Sequence, residues 1–316
     1  MNRQEFLKGI ASGHLSAVID SDLLAHFEVK NYALLPSLMG DDPGITISVV
    51  GAGPLGARVV GRLANSVPGI SCHGVVFDPQ KQNLPGMNSL FSSVWKSDLL
   101  FILSGLDDGY SGSIVSLVAN AAREAGALTV IVAPETEVWN TQALRNREAL
   151  LAIVDSLILV SEKSLSNGHT PFVGQPLRQE NLTEDAMRHT VAVITHLIHQ
   201  RFLIGVDFYD VASVMRTGGV GRLGVGRAEG RYKGVTATRS ALERHASQGL
   251  PIRDATGVLV CVSGSSLLSM DTFAEVSGAI WDTFPERSTI IIGPAVDDKM
   301  GETVSVSIFA LRKQIA

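Results

Sequence analysis

The sequence has few aromatic residues and little charge. Aromatic side chains make up 6% of the 316 residues, which argues against a surface on which the bases of single-stranded nucleic acid stack. Charged residues make up 18% and the formal net charge is −5, so the basic patch of a DNA-binding or anionic-membrane-binding protein is not expected. We therefore predict no nucleic-acid partner.

The sequence also lacks the marks of a secreted or membrane-spanning protein. Its two cysteines, Cys72 and Cys261, lie far apart and cannot form a disulfide framework. No run approaches the roughly 18 consecutive apolar residues of a membrane helix, and the N-terminus has no apolar signal core. Because apolar residues still make up 45% of the chain, we expect a folded cytoplasmic protein with room for two domains.

Glycine, in contrast, is abundant, with 31 residues and no G-X-Y period. This usage favours an α/β protein, in which glycine serves the tight turns between strands and helices. Short apolar strands alternate with helical segments through the first half of the chain. The predicted strands lie at 45–50, 72–78, 98–105, 127–134 and 155–161. Such alternation predicts a parallel sheet covered on both faces.

The second half has a different pattern. A long helix is predicted from about residue 181 to 202, and strands follow at 257–264, 288–294 and 304–311. We therefore predict an α/β fold in which a nucleotide-binding-type domain with a parallel sheet is joined by a long central helix to a smaller α+β domain. The predicted boundaries are 1–43 for an N-terminal helical extension, 44–180 for the first domain, 181–203 for the central helix and 204–316 for the C-terminal domain.

One motif stands between the first predicted strand and its helix. Gly51, Gly53 and Gly56 form a G-x-G-x-x-G pattern, which can hold a phosphate with backbone N–H groups and the helix N-terminus. Asp78 ends the next predicted strand, where a dinucleotide fold places the acid that binds ribose. This unit taken alone suggests an NAD-type site, and a tight turn that holds no phosphate explains it equally well.

A longer stretch, in which IGVDFYDVASVM at 204–215 is followed by ATGVLVCVSG and STIIIGPAVDDKM, resembles FtsZ, the bacterial tubulin homologue. The first of these segments is similar to the loop after the central helix of FtsZ, and the similarity continues through the other two. The first half fits less closely, at ISVVGAGPLG and LLFILSGLDDGYSG. The resemblance implies a GTPase-type first domain, GTP or GDP bound with Mg²⁺, and head-to-tail filaments in membrane remodelling or division.

The nucleotide pocket that the resemblance implies departs from the family pattern. The implied contacts are the first turn, Gly105, Gly109 and Gly112 of a second turn, and Asp185, which matches the aspartate that recognises guanine. The second turn carries Asp107 and Asp108 where backbone approaches phosphate in the family, and Tyr110 where a small residue is usual. A charge pair at 4 Å costs ~4 kcal/mol at an effective dielectric of 20, so two aspartates weaken phosphate binding unless Mg²⁺ bridges them.

Two acids match the family pattern better. The resemblance aligns Asp207 and Asp210 with the FtsZ acids that enter the neighbouring subunit's nucleotide site and position the attacking water. They are catalytic only if a neighbouring subunit retains hydrolysis; otherwise they are interface residues. Gly205 stands where the family has asparagine.

Three functions follow for testing. The first is a cytoskeletal scaffold that assembles with itself or with an FtsZ-type partner, has weak or absent GTP hydrolysis, and uses Asp107, Asp108 and Tyr110 at the interface. The second is an active GTPase of the FtsZ family, and the third is an NAD(P)-binding enzyme built on the GAGPLG turn. Any membrane link is expected to be indirect.

Two further clusters have simpler explanations. His189, His196 and His199 share one predicted helix, but without a matching acid or cysteine cluster we predict no metal site. A glycine-rich stretch at 218–234 and its flanks carry five basic residues. We predict that they line a flexible, solvated loop, and binding of an anionic partner or of lipid head groups is the alternative. These residues are Arg216, Arg222, Arg227, Arg231 and Lys233.

Overall fold

The computed structural model describes residues 27–32, 44–77, 86–106, 109–135, 147–165, 181–199 and 205–313, with the side chains of 109 and 110 excepted. The chain divides into two compact units, Met1–Val154 and Asp155–Ala316. The division falls before residue 155, whereas the sequence pattern extended the first domain to residue 180. No helix in the described ranges is long and apolar enough to cross a membrane.

Unit 1 contains a mainly parallel sheet in the strand order β1-β3-β2-β4-β5. Its strands are β1 (Phe27–Asn31), β2 (Ile47–Ala52), β3 (Ile70–Phe77), β4 (Leu99–Ser104) and β5 (Leu128–Pro134), and its helices are α1 (Gly53–Leu63), α2 (Met87–Lys96) and α3 (Gly109–Ala125). Every residue of β2 and β4 is buried, as in a strand covered on both faces. The α/β prediction with a parallel sheet is confirmed, and the four predicted strands of this unit lie within two residues of β2 to β5.

The helical prediction for the N-terminal extension is wrong at residues 27–31. This segment forms strand β1, which pairs antiparallel with β3 from Phe27 opposite Phe77 to Asn31 opposite His73. The sequence FEVKN alternates apolar and charged residues, and Phe27 and Val29 are the two that are buried. That period of two suits a strand and not a helix. Residues 1–26 and 33–43 of the extension lie outside the described residues.

Unit 2 contains a mixed sheet in the order β6-β7-β10-β8-β9. Its strands are β6 (Ser156–Val160), β7 (Val220–Ala228), β8 (Gly257–Gly264), β9 (Thr289–Val296) and β10 (Val304–Arg312), and its helices are α4 (Leu182–His199), α5 (Phe208–Met215), α6 (Lys233–Ala246) and α7 (Met270–Thr283). Pairs β6–β7 and β8–β9 are parallel, and β10 is antiparallel to both β7 and β8. Helix α4 is the long helix predicted from the sequence.

The glycine-rich stretch is not the flexible loop predicted for it. Residues 220–228 form β7, which lies between β6 and β10. Its glycines let helix α6 approach the strand: a Cβ added at Gly224 would meet the Ala241 oxygen at 2.2 Å, and one at Gly226 would meet the Ala237 oxygen at 1.9 Å. Glycine is therefore used here for helix-on-strand packing.

Candidate functional site

The two glycine turns of unit 1 begin side by side at a topological switch point. After β2 the chain forms β3 on one side of it and then β4 on the other. The parallel register places Ala52 opposite Ser104, so the turns that follow β2 and β4 leave the same sheet edge next to each other. In open α/β sheets this crevice outside the carboxyl ends of the strands is where ligands bind.

The first turn depends on glycine mainly because of the protein's own backbone. Gly53 has φ = 75°, a conformation that costs glycine little. A Cβ at Gly51 would meet the Gly56 oxygen at 2.2 Å, and a Cβ at Gly56 would meet the Leu103 oxygen of β4 at 2.1 Å. The G-x-G-x-x-G pattern thus locks β2, α1 and β4 together, whether or not an anion binds.

The same turn retains part of what a phosphate needs. Helix α1 has no side-chain cap and no acid in its first turn, which leaves its first backbone N–H groups for an anion. Pro54 stands in that turn and has no N–H, so one donor is missing. The residues that could hold a nucleotide phosphate here are Gly53, Leu55 and Gly56, through backbone alone.

The second turn is described only in part. Gly105 is buried directly after β4, and its carbonyl accepts a 2.7 Å hydrogen bond from the Ser104 hydroxyl. Gly109 and Gly112 lie in the first turn of α3, which has no acid. Tyr110 belongs to that helix by its backbone, and its side chain is not described. Asp107, Asp108 and Asp78 lie outside the described residues.

Asp185 is a buried acid of unit 2 with a partner on its own helix. It lies in the first turn of α4 with 3% of its surface exposed. The Arg188 guanidinium donates to its carboxylate at 3.0 Å, one turn along the helix. Asn181 caps the helix by accepting from the Glu184 N–H at 3.3 Å. The match of Asp185 to a guanine-binding aspartate therefore remains a prediction. Its ion pair with Arg188 already explains a buried acid at this position.

Asp207 and Asp210 cap helix α5 reciprocally. The Asp210 N–H donates to Asp207 Oδ1 at 2.9 Å, and the Asp207 N–H donates to Asp210 Oδ2 at 3.1 Å. This capping box fixes both carboxylates at the start of the helix. The second oxygen of each carboxylate makes no hydrogen bond within the described part of the chain. The arrangement can present two acids to a partner in one fixed orientation.

A residue that the sequence analysis missed stands between these acids. Tyr209 has 74% of its surface exposed and packs edge-on against Phe208, with ring centroids 5.6 Å apart. Three residues earlier, Val206 is buried, and its Cγ2 would lie 2.5 Å from a Cβ at Gly293 of β9. The available signal was the acid spacing of three at 207 and 210, which predicts a capped helix start and thus a rigid base for the tyrosine.

The other polar clusters are engaged in structure. His189 is buried, its Nε2 lies 2.9 Å from the Ser307 hydroxyl, and burial lowers its pKa to about 4. Across the described ranges, no group of three or more metal-ligating side chains comes together. In the basic stretch, Arg216 lies 3.9 Å from the Asp155 carboxylate, and Lys233 Nζ donates to the Glu302 carbonyl at 2.9 Å.

Comparison with known proteins gives one consistent picture. Residues 219–311 match the family model described as FtsZ family, C-terminal domain. The chain is 31% identical over 250 residues to the cell division protein FtsZ of Haloferax mediterranei, covering 77% of this chain and 63% of that protein. It is 29% identical to cell division protein FtsZ 1 of Halobacterium salinarum, covering 79% of this chain and 62% of that protein. It thus spans about three fifths of the length of these relatives.

Solved structures share the fold. An FtsZ mutant of M. jannaschii superposes with a TM-score of 0.71 at 24% identity, covering 86% of this chain and 92% of that one. CetZ2 of Haloferax volcanii, solved as a protofilament with bound GTPγS, superposes with a TM-score of 0.60 at 14% identity, covering 84% and 92%.

Proposed function

This chain belongs to the FtsZ/tubulin superfamily, and on that premise we propose that it assembles head to tail into protofilaments in which GTP binding and hydrolysis are weakened or lost. In this assembly the Asp207–Asp210 end of unit 2 of one subunit meets the two glycine turns of unit 1 of the next. The observation that carries the proposal is the reciprocal capping box, which holds two carboxylates and an exposed tyrosine rigidly outward. One relative of this fold is an FtsZ dimer and another a CetZ2 protofilament.

Weakened nucleotide binding rests on the two turns. The first has lost a donor at Pro54, and its glycines are accounted for by backbone contacts with α1 and β4. The second carries Asp107 and Asp108 in sequence where a phosphate would approach. If each repels one phosphate charge by ~1 kcal/mol or more, the two together lower the affinity by at least about 30-fold.

An active GTPase is the second candidate. The switch-point crevice and the acid-free first turns of α1 and α3 favour it. In that case Asp107 and Asp108 would hold a Mg²⁺ ion, which would offset phosphate charge, and Asp207 and Asp210 would orient water in the neighbouring site. A role in division or membrane remodelling remains a prediction. Assembly with an FtsZ-type partner remains one as well.

A binding titration separates the candidates. We expect purified protein to bind GTP and GDP weakly or not at all, with or without Mg²⁺, and to show no turnover. Micromolar GTP binding with phosphate release would establish the GTPase instead. Tight binding of NADH would support the enzyme built on the GAGPLG turn and overturn both other candidates.

Assembly is tested separately, by sedimentation and electron microscopy without nucleotide. We expect filaments that grow with protein concentration. Asp210→Ala removes a charge and the hydrogen bond that its carboxylate accepts from the Asp207 N–H, whereas Asp207→Ser keeps a cap acceptor and removes a charge only. Both variants should assemble less while remaining folded. A protein that stays monomeric at high concentration would refute the filament.

A further inference from the structure

We infer that side chains take over the subunit contact of the proposed filament: Tyr209 of one subunit packs on Pro54 of the next, and the Asp210 carboxylate pairs with Arg58. The inference rests on the proposed head-to-tail assembly and names the residues that hold it together without nucleotide.

The Tyr209 end is built to bind with little loss of freedom. Its backbone is fixed by the capping box, and the segment before it is anchored by Val206, which packs against Gly293. A tyrosine has only two side-chain torsions, so immobilising it in a contact costs little conformational entropy. Exposed tyrosines on rigid elements are the usual anchors of protein interfaces. Asp210 adjoins it and keeps one carboxylate oxygen outside the box.

The facing surface of unit 1 has the matching chemistry. Pro54 and Arg58 are both exposed on α1 and lie four residues apart, which places them on one helix face roughly 6 Å apart along the axis. The proline ring offers a flat apolar surface without a donor. The guanidinium can pair with a carboxylate and stack on a tyrosine ring at the same time. No acid lies in the first turn of α1 to oppose an incoming carboxylate.

A second exposed tyrosine in unit 2 shows the contrast. Tyr232 has 63% of its surface exposed, but the Arg231 guanidinium of its own chain lies 5.5 Å from its ring centroid. Tyr232 therefore already has the cation–π partner that Tyr209 would take from a neighbour. It is the matched control for Tyr209, and Arg62, which is also exposed on α1, is the control for Arg58.

The test is a double-mutant cycle on assembly without nucleotide. Arg58→Gln and Asp210→Asn each remove one charge, and the asparagine oxygen can still accept the capping hydrogen bond. We expect each variant to raise the critical concentration about tenfold, the equivalent of one ion pair at 1.4 kcal/mol. The double variant should also show about a tenfold rise, because the pair is lost only once. Arg62→Gln should assemble like the wild type.

The aromatic half is tested in parallel. Tyr209→Ala should raise the critical concentration at least about tenfold, and Tyr232→Ala should not change it. Circular dichroism and thermal unfolding verify that each variant is folded. If the wild type assembles while the charge variants add independently, or Tyr209→Ala assembles normally, the inference is wrong and the filament stands. If the wild type never assembles, both are wrong.

Discussion

Individual backbone carbonyl atoms restrict the turn after β2 to glycine at two positions. Gly56 faces the Leu103 carbonyl of β4 so closely that no side chain fits, and Gly51 faces Gly56 in the same way. Helix α7 offers the opposite case, since nothing lies within 4 Å of a Cβ added at Gly278. Two glycines of one protein are therefore present for different reasons, one that the fold requires and one that it tolerates.

This contrast gives a prediction for stability. Gly56→Ala should lower the free energy of unfolding by roughly 1–3 kcal/mol or more, because either β4 or α1 has to move. Gly278→Ala should raise it by about 0.5–1 kcal/mol, because alanine has the better helix propensity and meets no neighbour. Urea unfolding followed by circular dichroism measures both. Equal effects of the two substitutions would contradict the close contact at Gly56.

Buried histidines give a second prediction at this scale, on pH. Burial lowers the pKa of His73, His189 and His245 from 6.5 to about 4. The unfolded chain therefore binds more protons between these values, so each histidine's stabilising effect is present above pH 6.5 and is lost as the pH falls through about 4. The loss is roughly 3 kcal/mol for each histidine.

Unfolding in urea from pH 7 to pH 4 measures this effect. His189→Gln should make the decline less steep by one bound proton, because glutamine does not titrate. The substitution keeps a side chain that can still hydrogen-bond to Ser307. A stability that does not change across this range would show that the three rings are not buried in neutral form.

Elements show how far the sequence pattern reaches. Apolar runs and helical spacing in the sequence predict most of the buried strands and the long helix α4, because apolar side chains are buried in any fold. The strands predicted in this way include β2, β4, β5, β6, β8 and β10. Strand β7 was not predicted, because its glycines and arginines are typical of a loop. Its glycines are packed because α6 lies against them. Strand β1 was not predicted either, because its alternating pattern covers only five residues next to a predicted helix. Only Phe27 and Val29 in it are apolar and buried.

The extension's strand should contribute to stability. Phe27 is 1% exposed, and its ring meets that of Phe77 edge-on with centroids 5.5 Å apart. Phe27→Ala should cost about 3–5 kcal/mol, the usual range for a buried phenylalanine. Glu28→Ala, on the less buried side of the strand, should cost much less. A Phe27→Ala protein as stable as the wild type would show that β1 is not docked on β3.

The whole molecule has one cysteine in each compact unit, which provides a reporter for both. Cys72 lies in unit 1 and Cys261 in unit 2, and burial raises the pKa of each thiol to about 12. Because the thiolate is the reactive form, neither should react with a thiol reagent at pH 8 in the native protein. Both should react in denaturant, and mass spectrometry shows which is modified. Modification of either in the native state would mean that its unit opens readily.

The α/β class, most strands and the resemblance to FtsZ can be predicted from the sequence alone, because apolar runs and glycine spacing are local properties of the chain. The order of residues also brings Asp207 and Asp210 together, since they are three positions apart. Folding alone decides that Tyr209 stays exposed beside these acids and that Gly56 cannot carry a side chain, because it faces the Leu103 carbonyl of β4. Both facts depend on atoms brought together from distant positions, which no spacing in the sequence records.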